Sequence, residues 1–362
     1  MPKHKILFTI PNFTTAGSGR EMFNIIERLD KSIFEPIICI KKHGGELYHV
    51  IQTKGYKVII KPHSFIFPSQ IILFIQSIFY FRNLNIDIWQ SFNWSSDFSE
   101  ALLARLSGSK FVYLKKNMNN DRKAWKIKYM LSDAIIARNS TMLTSFLKPF
   151  FKKTILISGG VDPDLFCPNN SIKPKNSVLT IVSIAQLVRV KGQDLLIRAI
   201  EQIPNVRLIL VGAFRDEAYK MEIITLINTL NLTEKVTIAG SVSNVKELLD
   251  SADIFVLPTS KYGGHEEGSP VALLEAMSME KLCIASNVAG SRDILINGIT
   301  GFLFEPDNLN SLRNSLELAI LNITNHMIKK EARNKIVLEH TLEIEVNSFS
   351  KVYEGLIHGQ KY

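Results

Sequence analysis

Short apolar runs of strand length alternate with helical stretches along the whole chain, and this alternation restricts the fold more than any other feature. In the first half the runs are Lys5–Ile10, Pro36–Ile40, Lys57–Ile60, Asp87–Gln90, Lys110–Leu114, Ala134–Ala137 and Thr154–Ile157. In the second half they are Leu179–Ile184, Arg207–Val211, Lys235–Ala239, Ile254–Leu257 and Leu282–Ala285. Strands separated by helices favour parallel sheets flanked by helices. Between the two sets lies PNNSIKPKNS, residues 168–177, whose Pro, Asn, Ser and Lys are linker composition. At 362 residues the chain is long enough for two domains, each with its own core. The expectation is therefore α/β, with two doubly wound Rossmann-like domains: residues 1–167, the linker 168–177, and residues 178–340. A last helical segment in 341–362 could pack back toward the first domain. A ligand of such domains lies in a cleft, outside the carboxyl ends of the strands.

The rest of the composition excludes several classes. There is no low-complexity tract or internal repeat, and 46% of residues are hydrophobic against 21% charged, a globular balance. Cys39, Cys167 and Cys283 are far apart, odd in number and part of no metal-binding pattern, so they read as reduced thiols of a cytoplasmic protein. Ile6–Ile10 is too short for a signal segment and reads as the first strand. The net charge of +9 is unevenly placed: residues 1–165 hold 23 Lys and Arg against 12 Asp and Glu, the remainder 20 against 22. The excess is densest at Lys110, Lys115, Lys116, Arg122, Lys123, Lys126 and Lys128. A basic half is either a solvated face or a surface for a polyanion. No nucleic-acid motif or interleaved aromatic platform accompanies it, so nucleic acid is not expected as a partner.

Residues 65–81, FIFPSQIILFIQSIFYF, carry no charge and are unusually aromatic. The stretch is too short and interrupted to span a bilayer. It is either a buried helix of the first domain or a helix whose outer face dips into an anionic membrane surface beside the basic residues.

The residues that carry chemistry fall in a few loops. Glu267 and Glu275 flank Gly268-Ser269-Pro270-Val271-Ala272-Leu273-Leu274. Ser269 can cap a helix and Pro270 suits its first position. The N–H groups of that first turn would then seat a phosphate, with the two carboxylates placed to accept hydroxyls on either side. Lys191, at a strand-to-helix junction in Val188-Arg189-Val190-Lys191-Gly192, would aim an ammonium at a diphosphate. The loop Thr14–Arg20 contains Gly17 and Gly19, which would either let a backbone approach a phosphate or form a plain turn. Asn287–Asp293, with Gly298 and Gly301 beyond, reads as structural.

Taken with Gly160-Val161-Asp162-Pro163-Asp164-Leu165-Phe166, LVRVKG, EGSPVALLEAM and the NVAGSRDIL…NGITGFLF tail, these segments resemble glycosyltransferase family 4. The similarity covers nearly the whole chain and is most specific from Thr180 to Glu305. It implies a GT-B fold and a retaining hexosyl transfer from a nucleotide-sugar, UDP-sugars favoured, by front-face displacement and without a metal or other cofactor. It implies that Glu275 holds the donor ribose and that Glu267 with Gly268, Ser269, Pro270 and Val271 holds the sugar and diphosphate. Lys191 then neutralises the phosphates. Two departures stand out. Gln186 occupies the place of an Arg usual in the family, for which Arg189 is the nearby substitute. Lys116 and Asn117 stand in the region where the family often has a His near the reacting sugar. Asp162-Pro163-Asp164 imitates a metal-binding Asp-x-Asp but precedes the linker, so no metal is expected there. A basic first domain suits a polyprenyl-pyrophosphate-linked glycan of capsule, lipopolysaccharide O-antigen or related polysaccharide, reached from the cytoplasmic face of a membrane. The alternative is a nucleotide-sugar-binding partner subunit that has lost catalysis.

Overall fold

The computed structural model describes residues 2–13, 16–169, 178–242, 244–261 and 266–360. Its contacts divide the chain into two units. Unit 1 is Met1–Lys116, Asn120–Ser158 and Leu342–Tyr362; unit 2 is Asn117–Asn119 and Gly159–Thr341. The expected linker falls almost wholly outside the described residues.

Unit 1 begins with β1 (His4–Ile10), α1 (Ala16–Arg28), β2 (Phe34–Ile40), α2 (Glu46–Thr53) and β3 (Lys57–Ile60). It continues with α3 (Ile71–Arg82), β4 (Ile88–Ser91), α4 (Ser99–Leu106) and β5 (Lys110–Lys115). Then come α5 (Lys123–Leu131), β6 (Ala134–Ala137), α6 (Ser140–Thr144) and β7 (Thr154–Leu156). These strands form one sheet in the order β3-β2-β1-β4-β5-β6-β7, every pair parallel. Ile6, Leu7, Phe8 and Ile10 of β1 are all fully buried, as a parallel strand covered on both faces requires.

Unit 2 opens with β8 (Leu179–Ile184), α7 (Gln193–Ile200), β9 (Val206–Val211), α8 (Glu217–Thr229) and β10 (Val236–Gly240). Next are α9 (Val245–Ser251), β11 (Ile254–Leu257), α10 (Val271–Ser278) and β12 (Leu282–Ser286). It closes with α11 (Ala289–Ile294), β13 (Phe302–Phe304), α12 (Leu309–Leu321) and α13 (His326–Glu339). Its sheet is also parallel, in the order β10-β9-β8-β11-β12-β13. The edge strand β13 escapes the apolar-run reading because it is three residues long and emerges from a glycine-rich turn. Side chains start several helices: Asp216 accepts the Ala218 N–H at 2.9 Å and Asn308 the Ser311 N–H at 3.0 Å.

Residues 159–167, read from the sequence as the end of the first domain, pack with unit 2. The Val161 N–H donates to the His340 carbonyl at 2.9 Å, and Arg333 of α13 donates to the Pro163 and Phe166 carbonyls at 3.2 and 3.1 Å. The last helix, α14 (Leu342–Ile357), packs on α1 and belongs to unit 1. Its Phe349 and Tyr353 enter the core with Phe8 and Phe34. Arg138, just after β6, is buried and joins Glu21 of α1 to Glu345 of α14, the latter at 2.6 Å, while Lys116 adds a second cation to Glu21 at 2.9 Å.

Burial presses the Glu21 carboxyl upward, but Arg138 and Lys116 outweigh it and hold it at about 2 against an ordinary 4.5. A depressed carboxylate contributes stability above its unfolded pKa and loses that contribution as pH falls through its folded value. The thermal unfolding midpoint should therefore drop as pH falls from 4.5 toward 2. Glu21→Gln should lower the midpoint at neutral pH and flatten the slope in that acid window, measured by calorimetry on both proteins.

Candidate functional site

Two loops of unit 2, at the carboxyl ends of β8 and β11, are stitched together by backbone contacts. After β8 the chain makes a short 3₁₀ turn, Arg189–Lys191, and then Gly192 adopts φ 63°. A Cβ on Gly192 would sit 2.1 Å from the Pro258 carbonyl oxygen, so glycine is needed here both for its dihedral and for the close approach. Just beyond, the Ser260 N–H donates to the Val190 carbonyl at 2.9 Å. Gln193 steadies the start of α7: its amide donates to the Gln186 carbonyl at 3.0 Å and its oxygen accepts from the Tyr219 hydroxyl at 3.0 Å.

The stitching brings together side chains 76 residues apart in sequence: the Lys191 ammonium donates to the Glu267 carboxylate. The buried Thr259 hydroxyl donates to the same oxygen at 3.1 Å. Lys191 is 23% exposed and Glu267 14%, so the pair is sheltered yet still reachable from solvent.

Glu267 leads directly into α10. The expected cap is corrected: Pro270, at φ −77° and ψ 97°, is the N-cap residue itself, and Ser269 makes no capping bond. The Ser269 hydroxyl accepts the Gly159 N–H instead, at 3.0 Å, fastening the residues before α10 to the segment after Ser158. The first bonds into the helix run from the Leu273 and Leu274 N–H groups to the Pro270 carbonyl, at 3.0 and 3.3 Å. The N–H groups of Val271 and Ala272 precede them and carry the partial positive charge of a helix start. Glu275 lies four residues after Val271, on the same helix face, half-buried, while Leu273, Leu274, Ala276 and Met277 enter the core. The arrangement offers an ammonium and helix N–H groups for an anion, with a carboxylate on either side for hydroxyls.

Several contacts missed in the sequence hold this loop. The Glu266 carboxylate accepts the Ala289 N–H at the start of α11, at 2.8 Å. A Cβ on Gly290 would come within 2.6 Å of the Gly268 carbonyl oxygen and 2.9 Å of that of Glu267. The Asn287–Asp293 stretch, expected to be structural, thus packs against the backbone of the glutamate loop. At the loop's other end the Lys261 N–H donates to Asp307 at 3.0 Å; residues 262–265 lie outside the described residues. At the far end of α10 the Ser278 hydroxyl donates to the Phe166 carbonyl at 2.7 Å. No spacing rule links Glu266 to Ala289, or Thr259 to Glu267 and Lys191, and only the folded loops pair them.

Other expected site residues are placed differently. Arg189 is about half exposed, with its guanidinium on Glu222 of α8 and near the Tyr219 ring, which makes it a poor second clamp beside Lys191. Gln186 is exposed. Gly17 and Gly19 lie within α1 rather than in a loop, and a Cβ on Gly19 would press on Phe13 at 3.0 Å and Leu47 at 3.1 Å, a packing reason for glycine. Lys116 is tied to Glu21 and lies 4.5 Å over the Phe92 ring, and burial lowers its pKa. Asn117 groups with unit 2. The basic cluster is also only partly surface, since Lys115 and Lys128 are fully buried. Lys128 lies 4.0 Å from Glu100 and 4.2 Å over the Tyr113 ring, and burial lowers it to about 8. Lys115 lies 3.6 Å over Trp125 and is lowered by burial, then by Lys128, to about 7. In the Asp162-Pro163-Asp164 sequence, Asp162 accepts the N–H groups of Asp164 and Leu165, both at 3.1 Å, the work of a turn.

Residues 169–335 match the family model described as glycosyl transferases group 1. They hold Lys191, Glu267 and Glu275. The matched segment takes in β8 to most of α13 of unit 2. Among curated relatives, an Escherichia coli UDP-Gal:alpha-D-GlcNAc-diphosphoundecaprenol alpha-1,3-galactosyltransferase is 30% identical over 128 residues, 35% of this chain and 32% of that protein. The Staphylococcus aureus capsular polysaccharide biosynthesis glycosyltransferase CapM is 28% identical over 255 residues, 64% of this chain and 65% of CapM. The chain therefore spans less than two thirds of the length of these relatives. Among solved structures, a glycosyltransferase from Rickettsia africae superposes with a TM-score of 0.86 at 20% identity, covering 99% of this chain and 100% of the other. Anabaena HepE in complex with UDP-glucose superposes with a TM-score of 0.83 at 18% identity, covering 97% and 99%. The two parallel-sheet units are those of the GT-B fold.

The glutamate loop of unit 2 should depend on its anchor. A hydrogen bond to a charged group contributes about 1.5–3 kcal/mol, so Glu266→Ala should speed amide exchange at Ala289 by roughly ten- to a hundredfold. Exchange in β8 and β11 should stay as in the wild type, read by hydrogen–deuterium exchange.

Proposed function

We propose that this chain is a retaining glycosyltransferase that moves a hexosyl group from a nucleotide-sugar, a UDP-sugar above others, to a lipid-linked glycan. The observation that carries the reading is the Lys191–Glu267 pair set immediately before the start of α10, with Glu275 one turn into that helix. A nucleotide-sugar joins a ribose, a diphosphate and a hexose, and this site has a group of suitable chemistry for each. Glu275 accepts from the ribose hydroxyls, and the Val271 and Ala272 N–H groups with Lys191 meet the diphosphate. Glu267, Gly268 and Ser269 border the sugar.

As the bond between the anomeric carbon and the phosphate oxygen breaks, the leaving nucleoside diphosphate gains negative charge. Preorganised N–H groups and an ammonium stabilise that charge without reorganising. The acceptor hydroxyl attacks from the face the diphosphate leaves, and its proton passes to the departing phosphate oxygen. In this reading the charge is met by Lys191 and the helix start, so a chelator should leave turnover intact. The relatives support the donor and acceptor classes: one is named for UDP-galactose and a diphosphoundecaprenol-linked sugar, and another for capsular polysaccharide biosynthesis. We place the protein in the cytoplasm, at the cytoplasmic face of the membrane that holds such an acceptor, with the acceptor on unit 1.

A second reading, a donor-binding partner subunit without catalysis, is favoured by exposed Gln186 and by the engagement of Arg189 with Glu222. The two separate cleanly. Glu275→Gln should reduce donor use about ten- to a hundredfold, and Lys191→Ala at least as much, in a donor-hydrolysis or transfer assay. Wild-type turnover in either variant would defeat the site assignment. Donor binding by calorimetry, with neither hydrolysis nor transfer by the unmodified protein, would establish the partner subunit instead.

A further inference from the structure

Helix α3 is buried on one face and apolar on the face it exposes. Only Phe74, Ser77 and Phe81 face inward, with Phe74 packed 5.3 Å from Phe65 and Phe81 4.8 Å from Trp89. On the opposite side Ile72 is 69% exposed, Ile75 46% and Phe79 63%, positions three and four residues apart that form one outward stripe. Ile66, just ahead of the helix, is 70% exposed. A surface helix of a water-bounded protein turns polar residues outward; here Gln76 is the main polar side chain on that side. Apolar patches of this kind mark interaction surfaces.

What surrounds the stripe points to its occupant. Lys61 places its ammonium 4.9 Å over the Tyr80 ring, and Arg82 closes the helix. Helix α4 packs against both α3 and α5, so the three form one layer. On that layer Lys123 and Lys126 of α5 are exposed beside exposed Ile127 and Met130. The one carboxylate in the three helices, Glu100, is buried against Lys128. Within the three helices the layer therefore presents apolar and cationic side chains and no exposed acid; the exposed Asp121 lies two residues before α5. A second copy of this chain docked by twofold symmetry would set these cations against their own kind. Among the described residues no helix is long and apolar enough to cross a membrane; an apolar stripe flanked by cations has the chemistry of a helix that lies along a bilayer surface.

We propose that the α3–α5 layer of unit 1 is a docking surface for an anionic lipid membrane. The stripe of Ile72, Ile75 and Phe79 enters the headgroup boundary, and Lys61, Arg82, Lys123 and Lys126 meet lipid phosphates. This deepens the reading of a lipid-linked acceptor and rests on it for its purpose, while its geometry is independent of the donor site.

The test is flotation of the full chain with vesicles of phosphatidylcholine alone or mixed with phosphatidylglycerol, at low and high salt. The wild type should float with the anionic vesicles at low salt. Ile72→Ser combined with Phe79→Ser should weaken that partition roughly tenfold or more. Arg82→Gln with Lys123→Gln and Lys126→Gln should abolish the preference for phosphatidylglycerol. All substituted positions are exposed, and circular dichroism with the thermal midpoint confirms folding. Lys191→Ala, which disables the proposed donor chemistry, should float like the wild type, so a failed donor reading leaves this result standing. Wild-type protein that stays at the bottom in every condition, or an apolar double variant that floats like the wild type, overturns the proposal. So does light scattering that shows a wild-type dimer broken by that same double variant.

Discussion

The candidate site depends on the close backbone approach between Gly192 and Pro258. Without that approach the β8 and β11 loops could not share the Ser260–Val190 hydrogen bond, and Lys191 could not lie against Glu267. An ammonium held beside a carboxylate orients both groups before any ligand arrives. The cost of ordering two long side chains is thus met on folding, the condition under which fixed charges act strongly on a developing negative charge. Thr259 and Glu266 make the arrangement stiffer, one by bonding Glu267 itself and the other by bonding the start of α11.

The two units use buried charge differently. In unit 2 the pair stays partly exposed, where a ligand can compete for its members. In unit 1 the Arg138 guanidinium is sealed between Glu21 and Glu345, and also donates to the Ile157 and Ser158 carbonyls, both at 2.9 Å. Breaking one side of such a buried set leaves an uncompensated charge, at a cost of about 3–5 kcal/mol. That tie helps explain why the last helix, which follows unit 2 in sequence, is part of unit 1. The α3–α5 layer adds a third role, with exposed cations beside an apolar stripe.

Much of this was legible in the sequence. Strand-length apolar runs give parallel sheets because such strands are buried on both faces, and each of the runs named at the outset forms a strand within a residue or two. The exception is β13, too short to stand out beside Gly298 and Gly301. Lys191, Glu267 and Glu275 were legible because each sits next to a strand end or a helix start, where local pattern is informative. What failed was anything set by long-range packing. Lys115 and Lys128 counted as surface charge, yet they are buried against Trp125 and Glu100, and Lys116 is held by Glu21. Ser269 looks like a cap, but the Gly159 N–H takes its hydroxyl and moves the cap to Pro270. Arg189 looked like a replacement clamp until α8 supplied Glu222.

The central claim is that the Lys191–Glu267 pair and the start of α10 form a nucleotide-sugar site that turns over. Exposing the purified chain to a panel of UDP-, GDP- and other nucleotide-sugars, and following release of the nucleoside diphosphate, tests it most directly. The account predicts slow hydrolysis of one donor class, UDP-sugars first, that persists with a chelator and disappears in Lys191→Ala. Release from no member of the panel, with no donor binding by calorimetry, would contradict it.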